Sequence, residues 1–503
     1  MLAEKIKVLV DLKPGLDGYA GIPQETRLLF RGLRSTPEYS TEGLIQHGAR
    51  MLKAAIPTCK PALSASRRIS LLSRAIVSLH EKPYSNLMEG IADVMGRYLS
   101  VNCLRLKAQF GVPLATEIFE SEMFEDFVWR TFFSKTLKPG DKDLITSAQF
   151  RILKCSRKML HQVGLRGLKF TSSPNYSTIN TRGFDFFVGQ TPFPGRVTGG
   201  TRLVIRYHDA VPVLMPHTIN DKAFHLASHF YSLQDNVKSG AFFSCVSGAT
   251  RNDLLKIFPE AEPRTVVIPN IVSDEYFVEN SNANLVLQIA RNRLCKTTDV
   301  KTDVSLLQTR RAENPGHTGF NYLLMVSTIE PRKNHRLLVE AWERLKYTSM
   351  PDLKLVVVGA IGWDHATILE SFKPWAEAGD LFHLVNVPPS ELRVLYRHAA
   401  ATICPSLAEG FDYSGIEAMR SGGIVVASDI PVHREIYGNA SEYFNPYSSD
   451  EAAQVLRRVL EGDGAKIREG LRTAAKDIAG RYTQEVVMPK WNDFFREARG
   501  VKE

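Results

Sequence analysis

A chain of 503 residues, 44% hydrophobic and 23% charged, is too long for one compact core, and this balance excludes wholesale disorder. Its six cysteines (Cys59, Cys103, Cys155, Cys245, Cys295 and Cys404) are scattered without a CxxC pair, which excludes a disulfide framework and a zinc ribbon. The net charge of +9 is uneven: residues 1–310 hold 40 Lys+Arg against 28 Asp+Glu, and residues 311–503 hold 23 against 26. A basic first half suits an anionic partner or a solvated basic surface.

The N-terminus, MLAEKIKVLV, enters a strand over 7–10 without a long apolar leader, and no apolar run reaches the roughly 20 residues of a membrane-spanning helix. We therefore expect a cytoplasmic chain, or one at the inner face of the cytoplasmic membrane. A turn, Gly18-Tyr19-Ala20-Gly21-Ile22-Pro23, separates this strand from the helix-like QETRLLFRGL, and its glycines let backbone approach a ligand closely. Over about 60–168 the pattern turns mostly helical, in RRISLLSRAIVSL and RILKCSRKMLHQVGLRGLKF, predicting a helical insertion in the first domain. The second segment is basic and amphipathic. It reads as a helix packed on its own domain, with an acidic membrane surface as the alternative. Asp141-Lys142-Asp143, after Pro139-Gly140, reads as a turn or helix start, and no metal site is expected.

Strands over 186–188, 203–207, 242–246 and 265–268 continue the first domain, set at 1–300, and polar sequence over 279–316 reads as the interdomain connection. Strands over 322–327, 353–358, 382–387, 400–404, 424–427 and 442–444 then alternate with amphipathic helices. This rhythm predicts an α/β, doubly wound parallel sheet for the second domain, 317–480, and a terminal helix over 481–503.

The richest segment is CPSLAEGFDYSGIEAMRSGGIVVASDIPVHRE, at 404–435. It leaves the carboxyl end of a parallel strand, where open α/β sheets bind ligands, and starts a helix whose free N–H groups near Tyr413 and Ser414 attract phosphate. Glu409 and Glu417 would project into one crevice and accept hydrogen bonds from sugar hydroxyls. Glu417 also fits a capping box begun by Ser414. In STIEPRKN, Arg332 and Lys333 stand between a strand end and a helix that Asn334 would cap. A guanidinium beside an ammonium neutralises a diphosphate, including charge that develops on a leaving one; the alternative is two exposed loop charges. His208, in RYHDAVP, ends a first-domain strand and could hydrogen-bond a bound sugar. There is no G-x-G-x-x-G after a strand with an acidic residue about 20 positions on, which argues against a nicotinamide dehydrogenase. No nucleic-acid-reading motif accompanies the basicity.

Taken together, EGFDYSGIEAM, STIEPRKN, RYHDAVP and VSGATRNDLLKIFP…VVIPN resemble the retaining glycosyltransferases of family 4, which have the GT-B fold of two Rossmann-like domains facing a cleft. The resemblance covers residues 5–50 and about 180–500, and is nearest in pattern to bacterial mannosyl- and hexosyl-transferases of surface-polysaccharide assembly. It implies that Arg332 and Lys333 bind the donor diphosphate, helped by amides near Tyr413 and Ser414. Glu409 would contact the donor sugar, Glu417 the ribose and His208 the sugar at the domain interface, with Gly21 in the loop closing over the site. The terminal helix around Trp491 would cross back onto the first domain. The implied substrates are a sugar nucleotide, GDP-mannose or else a UDP-hexose, and a glycan or lipid-linked glycan acceptor. No cofactor, metal or nucleic acid is implied. An inactive GT-B scaffold of a glycan-assembly complex is the competing expectation. Asp412 departs from the glycine many relatives carry, and sits badly beside a phosphate unless its side chain turns away.

Overall fold

Strand β1 (Ile6–Asp11) is buried along nearly its whole length, as its IKVLVD sequence demands of a strand covered on both faces. Around it the computed structural model, which describes residues 5–16, 18–19, 21–46, 64–79, 86–169, 173–295 and 320–500, builds an eight-stranded sheet. On one side lie β2 (Tyr39–Gln46), β4 (Phe150–Leu153) and β3 (Thr116–Phe119). A small parallel pair, β5 (Thr178–Ile179) and β7 (Arg196–Val197), stands apart from the sheet. On the other side of β1 come β6 (Phe186–Gly189), β8 (Arg202–Tyr207), β9 (Phe242–Cys245) and β10 (Thr265–Val267). All pairs are parallel except β3 with β4.

Three strands of this sheet, like the separate β5–β7 pair, lie outside the expected series. β2 reads YSTEGLIQ, whose Glu42-Gly43 interrupts its apolar run, and β3 and β4 fall inside the region expected to be helical. That region does supply two long helices, α2 (Ala65–Ser78) and α3 (Leu87–Gln109), but it also widens the sheet by two strands. The basic stretch from Arg151 is accordingly not one amphipathic helix. It begins as β4, and only Arg157–Arg166 is α-helical, with Met159, Leu160, His161 and Val163 buried against the domain. The reading that this segment packs on its own domain stands. Pro139–Asp141 is a single turn leading into a helix at Lys142–Thr146, as the DKD stretch suggested.

The second sheet holds β11 (Tyr322–Val326), β12 (Lys354–Val358), β13 (Leu381–Leu384), β14 (Ala401–Cys404), β15 (Val425–Ser428) and β16 (Ser441–Phe444). They run in the order β13-β12-β11-β14-β15-β16, all parallel. The chain starts in the middle and winds outward both ways, so a crevice opens beyond the carboxyl ends of β11 and β14. Within the segment read as a polar connection, Asn284–Arg293 forms a helix packed on this half through Val286, Ile289 and Ala290. Residues 296–319 lie outside the described part, as does Cys59.

The terminal helix, Gln484–Gly500, returns to the first half. Val487, Met488, Trp491, Phe494 and Phe495 share one core with β1, β2 and helix α1 (Ile22–Ser35). The Phe495 ring sits 4.6 Å from Phe186 and 5.6 Å from Tyr39. Such buried aromatic packing fixes one half against the other by far more than a surface contact could. Among the described residues no helix is long and apolar enough to cross a membrane.

Candidate active site

The two loops at the switch point of the second sheet are the STIEPRKN and PSLAEGFDYS segments. After β11 the chain makes a short turn, Pro331–Lys333, that directs Arg332 and Lys333 across the crevice. Asn334 begins the next helix in a left-handed conformation (φ 62°), but its side chain does not cap. Its Nδ2 donates to the carbonyls of Pro405 (3.1 Å) and Pro446 (2.8 Å), tying this loop to those after β14 and β16.

Arg332, Lys333 and Glu409 form one partly buried ion cluster. Arg332 Nη1 stands 2.8 Å from Glu409 Oε2, and Lys333 Nζ bonds Glu409 Oε1. Arg332 also reaches the Ala408 carbonyl at 2.6 Å and Glu330 at 2.9 Å. Burial alone would raise the Glu409 pKa, but Arg332 and Lys333 outweigh it and hold the carboxyl below its ordinary range. Glu330 and Asp209 are pushed up by burial in the same cluster, although Arg332 opposes it. Two cations thus face three carboxylates, so an incoming dianion gains Arg332 and Lys333 only by displacing Glu409 from them.

His208 leads into this cluster from the first half. Burial depresses its pKa to about 3, so the ring is neutral, and its Nε2 is buried without a partner among the described residues. Its backbone is in close contact with the EGF loop: a Cβ on Gly410 would lie 1.8 Å from the His208 carbonyl oxygen. Thr250 Oγ1 is shared between the carbonyls of His208 (3.3 Å) and Gly410 (3.4 Å).

Glu417 keeps different company. The helix Tyr413–Arg420 is capped by Asp412, whose Oδ1 accepts from Ser414 N at 3.3 Å and Ser414 Oγ at 2.7 Å. The capping box begun by Ser414 therefore does not form, and the Ser414 amide is already taken. Glu417 lies on the helix's second turn, where Gln24 Nε2 (2.9 Å) and the Tyr396 hydroxyl (3.2 Å) donate to it. Burial raises its pKa to about 7, against the lowering effect of bonds from Gln24, Tyr396 and Tyr276. Asp412 does not turn away from the helix start, because its Oδ1 caps it. Its Oδ2 bonds His433 Nε2 at 3.1 Å, and despite burial the bond from His433 and the charge of Lys333 hold its pKa far below the usual value.

Two further residues escape a motif reading. Glu25, on the first turn of α1, accepts from Tyr413 OH at 3.0 Å and pairs with Arg206 at 2.9 Å, both carboxylate and guanidinium being almost wholly buried. Arg206 in turn bonds Ser244 Oγ, the Ile268 carbonyl and Asn270 Oδ1. Gly21, at φ 70°, supplies the N-cap position of α1 and so sets where Gln24 and Glu25 emerge. Their signal was position alone: they open the first helix after the first strand, at a carboxyl edge. The structure thus joins Arg332, Lys333 and Glu409 beside His208, and separately joins Tyr413 and Glu417 to α1. Among the described residues no group of His, Cys, Asp and Glu forms a metal-holding cluster.

Two doubly wound sheets facing each other through these contacts are a GT-B fold. Sucrose-phosphate synthase from Thermosynechococcus elongatus superposes over 98% of this chain and 99% of its own, with a TM-score of 0.54 at 13% identity. The α,α-trehalose 6-phosphate synthase from Burkholderia multivorans does so over 98% and 99%, at 0.52 and 11%. Residues 308–478 match the family described as Glycosyl transferases group 1. O-antigen chain mannosyltransferase B of Escherichia coli is 25% identical over 232 residues, 46% of this chain and 55% of that protein. O-antigen chain mannosyltransferase RfbU of Salmonella typhimurium is 35% identical over 127 residues, 25% of this chain and 35% of that protein. The chain thus spans about half the length of the first of these relatives, and less of the second.

Proposed function

We propose that the chain is a retaining glycosyltransferase that moves a hexose, mannose in the first instance, from a sugar nucleotide to a glycan or lipid-linked glycan. The observation that carries this reading is the Arg332–Lys333–Glu409 cluster at the switch point, with the unpartnered Nε2 of His208 beside it. The two O-antigen chain mannosyltransferases named above support mannose and a polysaccharide acceptor.

In this reading the donor diphosphate displaces Glu409 from Arg332 and Lys333, and those two cations take up the charge that grows as the glycosidic bond breaks. Glu409, released but adjacent, accepts from the sugar hydroxyls, and neutral His208 donates or accepts at the same sugar. The ribose hydroxyls bond Glu417 in place of Gln24. The acceptor hydroxyl attacks from the face the diphosphate leaves, and a departing phosphate oxygen takes its proton, so no carboxylate nucleophile is needed. In this reading Arg332 and Lys333 carry the diphosphate charge, and no metal is invoked.

The test is calorimetric titration of the purified chain with GDP-mannose, UDP-glucose, UDP-galactose and UDP-N-acetylglucosamine in EDTA. Selective binding of GDP-mannose is expected. Selective binding of a UDP-hexose would replace mannose, and no binding with or without added magnesium would leave the scaffold reading instead.

A further inference from the structure

Five neighbouring strands of the first sheet, β8, β6, β1, β2 and β4, lead into polar side chains along one edge. His208 follows β8, Gln190 follows β6, Asp11 ends β1, Gln46 ends β2, and Arg157 opens the helix after β4. These are carboxyl ends of parallel strands, the edge at which open α/β sheets receive ligands. From His208 to Gln46 is three strand spacings, about 14 Å, room for more than one sugar ring.

The row is joined internally and yet left open. Arg157 Nη1 donates to Asp11 Oδ2 at 3.0 Å, and its Nη2 to the Thr191 hydroxyl (2.5 Å) and the Pro192 carbonyl (2.7 Å). Gln46 Nε2 reaches Asp11 Oδ1 at 3.4 Å, and the His208 ring bonds the backbone of Gln190. Against this, Gln190 is wholly buried with neither Oε1 nor Nε2 partnered among the described residues. Gln46 Oε1 and His208 Nε2 are buried and unpartnered in the same way. Folded chains pair nearly all their buried polar atoms, so four open ones along a single sheet edge mark groups kept for a ligand.

The open atoms belong to amides and a neutral imidazole, which exchange hydrogen bonds with hydroxyls without carrying charge. The row's two charges, Asp11 and Arg157, are spent on each other, and Lys13 on the same loop is drawn to Asp11 as well. A phosphate or carboxylate here would face Asp11 and find no free cation in the row, whereas sugar hydroxyls would close the open bonds. We infer that this edge is a subsite selecting the uncharged pyranose end of a glycan acceptor, with Gln190 and Gln46 reading its hydroxyls and Asp11 turning away phosphorylated or acidic sugars. The inference rests on the transferase reading, in which His208, at one end of the row, meets the transferred sugar. It narrows the acceptor against the anionic partner that a basic first half suits.

The experiment is saturation-transfer NMR of the full chain, with GDP or UDP present, against methyl α-mannopyranoside, methyl α-galactopyranoside and mannose 6-phosphate. Calorimetric titration with the sugar nucleotides runs beside it. The parent should bind at least one methyl glycoside and prefer it to mannose 6-phosphate. Gln190→Met should weaken that glycoside by about tenfold or more, because a sugar hydroxyl then lies against an apolar side chain. Its Tm should not fall, since the amide it replaces has no partner to lose, and sugar-nucleotide affinity should stay within about threefold of the parent's. Asp11→Asn leaves Arg157 uncompensated and should raise the affinity for mannose 6-phosphate by about tenfold. A parent that prefers mannose 6-phosphate, or binds no glycoside, overturns the inference. So does a Gln190→Met variant that binds the glycoside as the parent does. Either result leaves the transferase reading standing as long as a sugar nucleotide binds, whereas a parent that binds no sugar nucleotide removes both.

Discussion

Asp412 and His433 hold each other at the crevice: Asp412 Oδ2 lies 3.1 Å from His433 Nε2, and the imidazole's other nitrogen faces the Ser428 carbonyl at 3.0 Å. Ser428 Oγ, also 3.1 Å from that nitrogen, spends its hydrogen on the Ser406 carbonyl. Nδ1 therefore meets only acceptors and must be a donor. The pair keeps a carboxylate seated on a helix start that would otherwise attract an anion, at the cost of a positive φ (53°) on a residue with a Cβ.

Asp412→Gly follows directly from this arrangement. Glycine relieves the backbone, but the helix loses its cap and the buried imidazole its carboxylate, so stability should fall by about 1–3 kcal/mol in urea unfolding. With the carboxylate gone from the phosphate's surroundings, sugar-nucleotide affinity should rise about three- to tenfold in calorimetry. Weaker binding instead would mean that Asp412 helps to hold the donor.

Lys333→Met and Glu409→Gln should separate by ligand. Loss of the ammonium should weaken free nucleoside diphosphate and every sugar nucleotide alike, by about 10- to 100-fold, the worth of a charge-assisted contact. Loss of the carboxylate frees Arg332 and Lys333, so the free diphosphate should bind at least as tightly as to the parent while sugar nucleotides and turnover suffer. If both variants lose the free diphosphate equally, Glu409 is a structural partner of the cations only.

How much of this was legible beforehand depended on range. The second sheet announced itself because short β-branched runs such as LKLVVV and TIC alternate with amphipathic helices, a local pattern. Arg332, Lys333 and Glu409 were legible because they sit at the carboxyl ends of neighbouring strands. β2 was hidden by its polar middle, and β3 and β4 by the helical pattern of the segments around them. The roles of Gln24 and Glu25 depend on a partner almost 400 positions away, and nothing local distinguishes them from an ordinary polar first turn. Asn334 illustrates the opposite error: the residue type favours a cap, yet a left-handed backbone aims its amide at two distant carbonyls.

Glu417 predicts a pH dependence. Its pKa is about 7 in the folded chain against 4.5 ordinarily, so the native state holds this proton more tightly than the unfolded chain does. The contribution to stability is thus fully present below about pH 4.5 and is lost as pH rises to about 7, a change of about 3 kcal/mol at most. Glu417→Gln should flatten that part of the stability profile. In the parent, donor affinity should rise between pH 6 and 8, because ribose hydroxyls donate to the ionised carboxylate. A donor affinity independent of pH over that range would detach Glu417 from the ribose.

Arg206→Met tests the buried pair that holds Glu25 under Tyr413 of the second half. Glu25 would remain buried with only Tyr413 and the Ile271 amide to donate, while Asn270 and the Ile268 carbonyl would lose their donor. Removal of one partner of a buried pair costs about 3–5 kcal/mol, well above a surface substitution, and should appear as a lower urea midpoint. Arg206→Met combined with Glu25→Leu should recover part of that loss, because the uncompensated charge goes with its partner. If the double variant is no more stable than the single one, the hydrogen bonds to Ser244, Ile268 and Asn270 carry the effect.

Gly410→Ala isolates closure from donor binding. The added Cβ would sit 1.8 Å from the His208 carbonyl oxygen, a backbone atom of the opposite half that no rotamer change can move. The clash is relieved only by separating the EGF loop from His208, which also parts Thr250 from one of its two carbonyls. Neither Arg332 nor Lys333 need shift, so the donor should still bind the second half within about threefold of the parent, while turnover falls by about 100-fold or more because the reacting groups are held apart. Small-angle scattering should show a larger radius of gyration than the parent's with donor bound. An alanine variant that turns over as the parent does would mean that catalysis never requires the closed contact seen here, and His208 would then lose its place in the site.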